Sequence, residues 1–85
     1  MSELVLTEII ATLKEEIAVI TGKKAEDLRE DQPLSFNGIN SMGFVELLLS
    51  INRIWNVNLM EAGIGIGDVR TLAALAEKIK QEAAN

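Results

Sequence analysis

The chain has 85 residues, 48% of them hydrophobic and 25% charged, with a formal net charge of −5. That composition makes one globular domain, yet a chain this short buries only roughly 60% of its unfolded surface, too little for a deep catalytic cavity with its supporting shell. The absence of cysteine and histidine excludes disulfides, zinc sites of the usual kind and histidine-based nucleophile pairs, and the negative charge argues against binding a nucleic-acid backbone.

The N-terminal residues Met1-Ser2-Glu3-Leu4 lack the basic region of a signal peptide. No apolar run is long enough to span a bilayer. A soluble cytoplasmic monomer is the expectation, and its acidic balance suits partners with basic faces.

The spacing of Leu6, Ile9, Ile10, Leu13, Ile17 and Ile20 predicts a first helix from about Leu4 to Thr21, with Glu8, Glu15 and Glu16 largely on its other side. Gly22 is placed to end it in the left-handed conformation. A long connection follows from Lys23 to Asn40. Ala25 to Leu28 are expected to form a short helical turn, and Pro33 stops any continuation. Connections this long need a task or a set of pins. Leu28, Leu34, Phe36 and Ile39 are the expected pins.

A second helix is predicted from Ser41 to about Trp55. Phe44, Leu48, Ile51 and Trp55, with Leu47 beside them, make a buried stripe. Met42, Val45 and Leu49 make a second one. A helix apolar on two sides is either fully buried or meets a partner. Trp55 reads as a core anchor rather than a platform for a ligand. From Asn56 to Gly67 the chain is expected to be irregular, with a short helical turn after Asn58 and with Ile64 and Ile66 turned inward between glycines. That glycine run lacks the lysine and the setting of a phosphate loop. Thr71 is the expected cap of a last helix ending near Ala83, with Leu72, Leu75, Ala76 and Ile79 on its buried face. The fold expectation is all-α: three main helices plus a short third one, in a single domain covering residues 1–85.

The chemistry concentrates at Gly38-Ile39-Asn40-Ser41-Met42-Gly43. A helix start offers unpaired N–H groups and a dipole favourable to phosphate. Ser41 there is either an ordinary N-cap or a hydroxyl presented for a phosphodiester. Gly43 caps nothing, and is expected to leave the surface beside Ser41 open to a close-approaching ligand or enzyme. No Lys or carboxylate is placed to activate a serine nucleophile, so a stand-alone hydrolase is a poor reading.

The stretch Gly38-Ile39-Asn40-Ser41-Met42-Gly43-Phe44-Val45-Glu46-Leu47 resembles the phosphopantetheine attachment signature of acyl and peptidyl carrier proteins. That signature reads Gly, an apolar residue, Asp, Ser, then Leu or Met, followed by an apolar helix. Thr21-Gly22 with Glu26-Asp27-Leu28, then Asp31-Gln32-Pro33-Leu34, and finally Asp68-Val69-Arg70-Thr71-Leu72 are similar to other parts of the same family. Ser41-Met42-Gly43 is also similar to the pattern in D-alanyl carrier proteins. The resemblance implies a small four-helix bundle of the acyl-carrier type that catalyses nothing itself. It implies that a magnesium-using phosphopantetheinyl transferase moves the phosphopantetheine of coenzyme A onto Ser41. The arm's thiol would then carry an acyl or aminoacyl group as a thioester between loading and acceptor enzymes. A chain without cysteine fits an arm that brings its own sulfur.

Two positions depart from the family. Asn40 stands where the family has Asp, so the carboxylate that helps hold the transferase's metal is missing; this implies a dedicated enzyme or inefficient loading. Between Gln32 and Met60 the only charges are Glu46 and Arg53, which cancel. Fatty-acid carriers have an acidic second helix; here the expected partner surface is more apolar, formed by Met42, Val45 and Leu49, with Asn40, Gly43 and Glu46 as further contacts. The bulk of Phe44 and Trp55 predicts a small interior pocket and short or polar cargo. The alternative is a helical interaction module that carries no arm and uses Ser41 only as a cap.

Overall fold

The computed structural model describes residues 5–83 of the protein. Among them are three α-helices, α1 (Leu6–Thr21), α2 (Ser41–Trp55) and α3 (Leu72–Ala83), two short 3-10 helices and no strand. The predicted start of the first helix at Leu4 lies outside the described residues; Val5, in extended conformation, precedes α1.

The predicted periodicity forms the core. Ile9, Ile10, Leu13 and Ile17 of α1 meet Phe44, Leu47, Leu48 and Ile51 of α2 and Leu72, Leu75, Ala76 and Ile79 of α3, all buried. Helix α1 is the hub, packing extensively on both other helices, which touch each other less. Trp55 is half-buried and packs against this core, as expected. Truncating a core leucine such as Leu13 or Leu47 removes about 2–5 kcal/mol. Helix α1 ends as the sequence predicts: Gly22 sits at φ 78° and its N–H donates to Ala18 O at 2.8 Å.

The connection from Lys23 to Asn40 is ordered by its contacts. It opens with the 3-10 helix Ala25–Asp27. Leu28, Leu34 and Ile39 are buried pins, as predicted. Phe36 is not a pin; it is 57% exposed, and the interior place beside it is taken by Asn37, 1% exposed. The turn explains the exchange. Asn37 N–H donates to Pro33 O, Gly38 N–H to Ser35 O and Ile39 N–H to Leu34 O. That turn sends Leu34, Asn37 and Ile39 inward and Phe36 outward. The Asn37 carboxamide then accepts from Arg29 N at 2.8 Å and donates to Arg29 O at 2.9 Å and Pro33 O at 3.2 Å. A phenyl ring would leave the Arg29 N–H without its acceptor, a loss that costs more the less water can reach it.

The same connection reaches α3. Glu30 O accepts from Ala73 N at 3.0 Å and Gln32 O from Leu72 N at 3.3 Å. Thr71 Oγ1 accepts from Ala74 N at 3.0 Å, making Thr71 the predicted cap. The first three N–H groups of α3 are thus satisfied within the chain, so this helix start offers nothing to an anion.

The expected short third α-helix does not form. After α2 ends at Asn56 in the left-handed conformation, residues 59–63 make one turn. Asn58 Oδ1 accepts from Glu61 N at 3.1 Å, and Ile64 N–H closes the turn onto Leu59 O at 3.1 Å, with Gly63 at φ 76°. The 3-10 helix Ile66–Asp68 follows. Alternating Gly63, Gly65 and Gly67 each weaken a helix by about 1 kcal/mol, and so short a segment cannot recover the nucleation penalty. Ile64 packs against the core, but Ile66 is exposed rather than turned inward. No helix among the described residues is long and apolar enough to cross a membrane.

Candidate functional site at the start of helix α2

The approach to Ser41 is fixed by close packing against the end of α1. Gly38 has φ 93°, and a Cβ there would stand 3.1 Å from Thr21 Cγ2 and 3.2 Å from Lys23 Cε. Both the backbone angle and the space require glycine. Ile39 is buried and anchors the chain one step further on. Asn40, extended at φ −97° and ψ −174°, then turns the chain into the helix.

The cap is Asn40, not Ser41. Asn40 Oδ1 accepts from Gly43 N at 2.8 Å, and Asn40 O accepts from Phe44 N at 2.8 Å. Ser41 is the first helical residue, one place too late for its hydroxyl to reach the N2 or N3 amide as a cap does. The reading of Ser41 as a helix cap is therefore corrected. Its side chain is exposed, and no described residue hydrogen-bonds to it.

Gly43 also differs from expectation. It is buried, and a Cβ there would lie 3.3 Å from Asn40 Oδ1, 3.4 Å from Ile20 Cγ2 and 3.6 Å from Ile39 Cδ1. It is small because α1 and the capping oxygen come close on the inner side of α2, not to clear the outer surface. It faces inward, toward Ile20 and Ile39, rather than onto the outer surface of α2.

Among the described residues, no group of the chain accepts a hydrogen bond from Ser41 N or Met42 N. These two donors and the positive end of the α2 dipole lie beside a free hydroxyl. In α3, by contrast, the first N–H groups all have partners; a helix start with free donors is a setting that favours an anion such as phosphate.

The other expected contact residues fall on one outward face. Met42 is 76% exposed, Val45 44% and Leu49 59%; Glu46 is exposed beside them. Asn40 is exposed while its carboxamide oxygen serves the cap. Arg53, which in sequence cancels Glu46, instead points to α1, with its guanidinium 3.4 Å from Glu16 Oε1. Phe36 is an exposed aromatic close in sequence to Ser41 that composition had assigned to the core; the Asn37-Gly38 pair after it was the available turn signal.

Two open surface hollows, of about 390 Å³ between Val5, Ile9, Thr12 and Trp55, and about 340 Å³ between Pro33, Leu34, Ile66 and Arg70, are both lined without Ser41 or its helix-start neighbours. No cluster of acidic side chains able to hold a metal occurs among the described residues. No protein-family model matches the sequence, and no curated protein or solved structure is significantly similar to it.

Proposed function

We propose that the protein is a carrier whose Ser41 takes a phosphopantetheine arm and which shuttles an acyl or aminoacyl group between biosynthetic enzymes of the cytoplasm. The observation that carries this reading is the free Ser41 hydroxyl: exposed, unbonded and relieved of capping by Asn40. The fit to the group is local. The unpaired Ser41 and Met42 N–H groups would receive the phosphate oxygens. The arm supplies the thiol that a chain without cysteine lacks.

Attachment balances as a phosphoryl transfer. Ser41 Oγ forms a bond to the phosphorus that bears pantetheine, the adenosine bisphosphate half of coenzyme A leaves, and the hydroxyl proton passes to a base of the transferase. This chain's own part is to present the oxygen and hold the phosphate at the helix start. The acyl-carrier arrangement is supported by three helices and a long first connection pinned to the core. A single turn at 59–63 takes the place of that family's short third helix.

A second reading, an interaction module without an arm, is favoured by the apolar outward face of α2 and by neutral Asn40. It loses its account of Ser41, because that residue caps nothing. Intact mass after incubation with coenzyme A, magnesium and a broad-specificity transferase separates the two. The carrier gains one phosphopantetheine and Ser41→Ala gains none; an unmodified wild type across several transferases leaves the module.

A further inference from the structure

Asn37 is the only asparagine of the chain followed by glycine. Asparagine before glycine is the pairing most prone to lose its side-chain amide. A following residue without Cβ leaves its backbone nitrogen unshielded and its backbone free to bend toward the asparagine Cγ. The pair lies just ahead of Ile39, Asn40 and Ser41.

The fold holds both reacting groups apart. Asn37 is 1% exposed. Its carboxamide oxygen accepts from Arg29 N at 2.8 Å, and its nitrogen donates to Arg29 O at 2.9 Å and Pro33 O at 3.2 Å. The attacking atom is engaged as well, because Gly38 N–H donates to Ser35 O at 3.1 Å. Ring closure requires the carboxamide to turn from Arg29 and Pro33 to Gly38 N, and that nitrogen to give up its proton. Every one of these hydrogen bonds must break first, so the reaction waits on a local opening of the connection.

We propose that Asn37-Gly38 is a self-modification site that the folded connection keeps closed, and that its firing in an opened chain unlocks the connection permanently. The only co-reactant is water. Gly38 N attacks Asn37 Cγ; the new N–C bond replaces the bond from Cγ to Nδ2, and the amide leaves as ammonia, taking the Gly38 proton by way of solvent. Water then adds to one carbonyl of the five-membered imide and cleaves its bond to Gly38 N, which recovers a proton. Opening at Cγ gives aspartate, and opening at the main-chain carbonyl gives isoaspartate. Neither rebuilds the lock. A carboxylate at position 37 accepts from Arg29 N but has no hydrogen for Arg29 O and Pro33 O, and it sets its charge against them. Isoaspartate adds one carbon to the main chain ahead of Gly38 and Ile39, whose N–H groups close the turn onto Ser35 and Leu34. The inference stands whether or not Ser41 bears an arm.

The test follows the amide-to-acid mass change of the full chain at mildly alkaline pH, folded and fully unfolded in urea, with peptide mapping to place it. Conversion at Asn37 is expected to be more than about tenfold slower in the folded chain, the protection of a site that reacts only after opening. A difference of about tenfold or less overturns the proposal. So does conversion of another asparagine ahead of Asn37 in the unfolded chain. Permanence is read separately. Chain deamidated in urea and then returned to buffer, and the Asn37→Asp variant made directly, both unfold at lower urea than wild type taken through the same cycle. Phe36→Ser, exposed next door, does not. A deamidated chain that regains the wild-type midpoint contradicts the one-way lock.

Discussion

Asn40 and Gly43 are joined by a 2.8 Å hydrogen bond from the glycine N–H to the asparagine carboxamide oxygen, and this bond decides what Ser41 can be. With the capping place filled, the serine hydroxyl contributes nothing visible to the helix it begins. Gly43 is small enough to let both the cap oxygen and Ile20 approach.

The stability consequence is directly measurable. Asn40→Ala lowers unfolding free energy by about 1 kcal/mol, the worth of an N-cap. Ser41→Ala changes it by less than about 0.5 kcal/mol, as for an exposed residue without partners. Urea denaturation of the two variants compares them. A larger loss for Ser41→Ala would return the cap to the serine.

Asn40→Asp keeps the cap and adds a negative charge at the positive end of α2, worth about 0.3–1 kcal/mol. If the missing carboxylate limits the use of magnesium by a common transferase, the same variant also loads faster than wild type. Initial rates at fixed magnesium decide this. Equal rates would mean that Asn40 is no obstacle to loading.

The pinned connection makes Asn37 a stability residue. Asn37→Ala removes three hydrogen bonds to Arg29 and Pro33 and leaves the Arg29 N–H without its acceptor, lowering stability by about 2 kcal/mol. Phe36→Ser, one residue earlier and exposed, changes it by less than about 0.5 kcal/mol. Thermal or urea unfolding of the pair tests the assignment, and equal losses would contradict it.

Gly38→Ala is expected to be severe for its size. It forces a Cβ onto a φ of 93° and to 3.1 Å from Thr21 Cγ2. The backbone term alone is about 1–2 kcal/mol. Arg53→Ala, by contrast, breaks an exposed pair with Glu16 worth about 0–1 kcal/mol. Denaturation midpoints order the two variants, and a larger loss at Arg53 would refute this packing account.

Much of this was legible in the order of residues. Both ends of α2 and the four buried positions of α3 follow from apolar spacing, and the start of α3 from the cap at Thr71, whereas the α2 cap falls on Asn40, one residue before the expected Ser41. The outward exposure of Met42, Val45 and Leu49 followed from a helix with more apolar sides than it can bury. What escaped depends on where a backbone turns. Phe36 and Asn37 exchange their expected places because the turn after Pro33 sends Asn37 inward, where its carboxamide bonds to Arg29 and Pro33. Gly43 looked like an opening because sequence does not reveal that α1 passes behind it. The helical turn expected after Asn58 forms at 59–63 and goes no further, because Gly63, Gly65 and Gly67 weaken any continuation.

The central claim is that Ser41 is a free hydroxyl held for a phosphodiester. Its most direct measurement is the intact mass of wild type, Ser41→Ala and Asn40→Asp after the same reaction with coenzyme A, magnesium and transferase. The account predicts one phosphopantetheine on wild type and on Asn40→Asp, localised to Ser41 by fragmentation, and none on Ser41→Ala. Unchanged masses for all three folded proteins, or an arm found on any other residue, would contradict it.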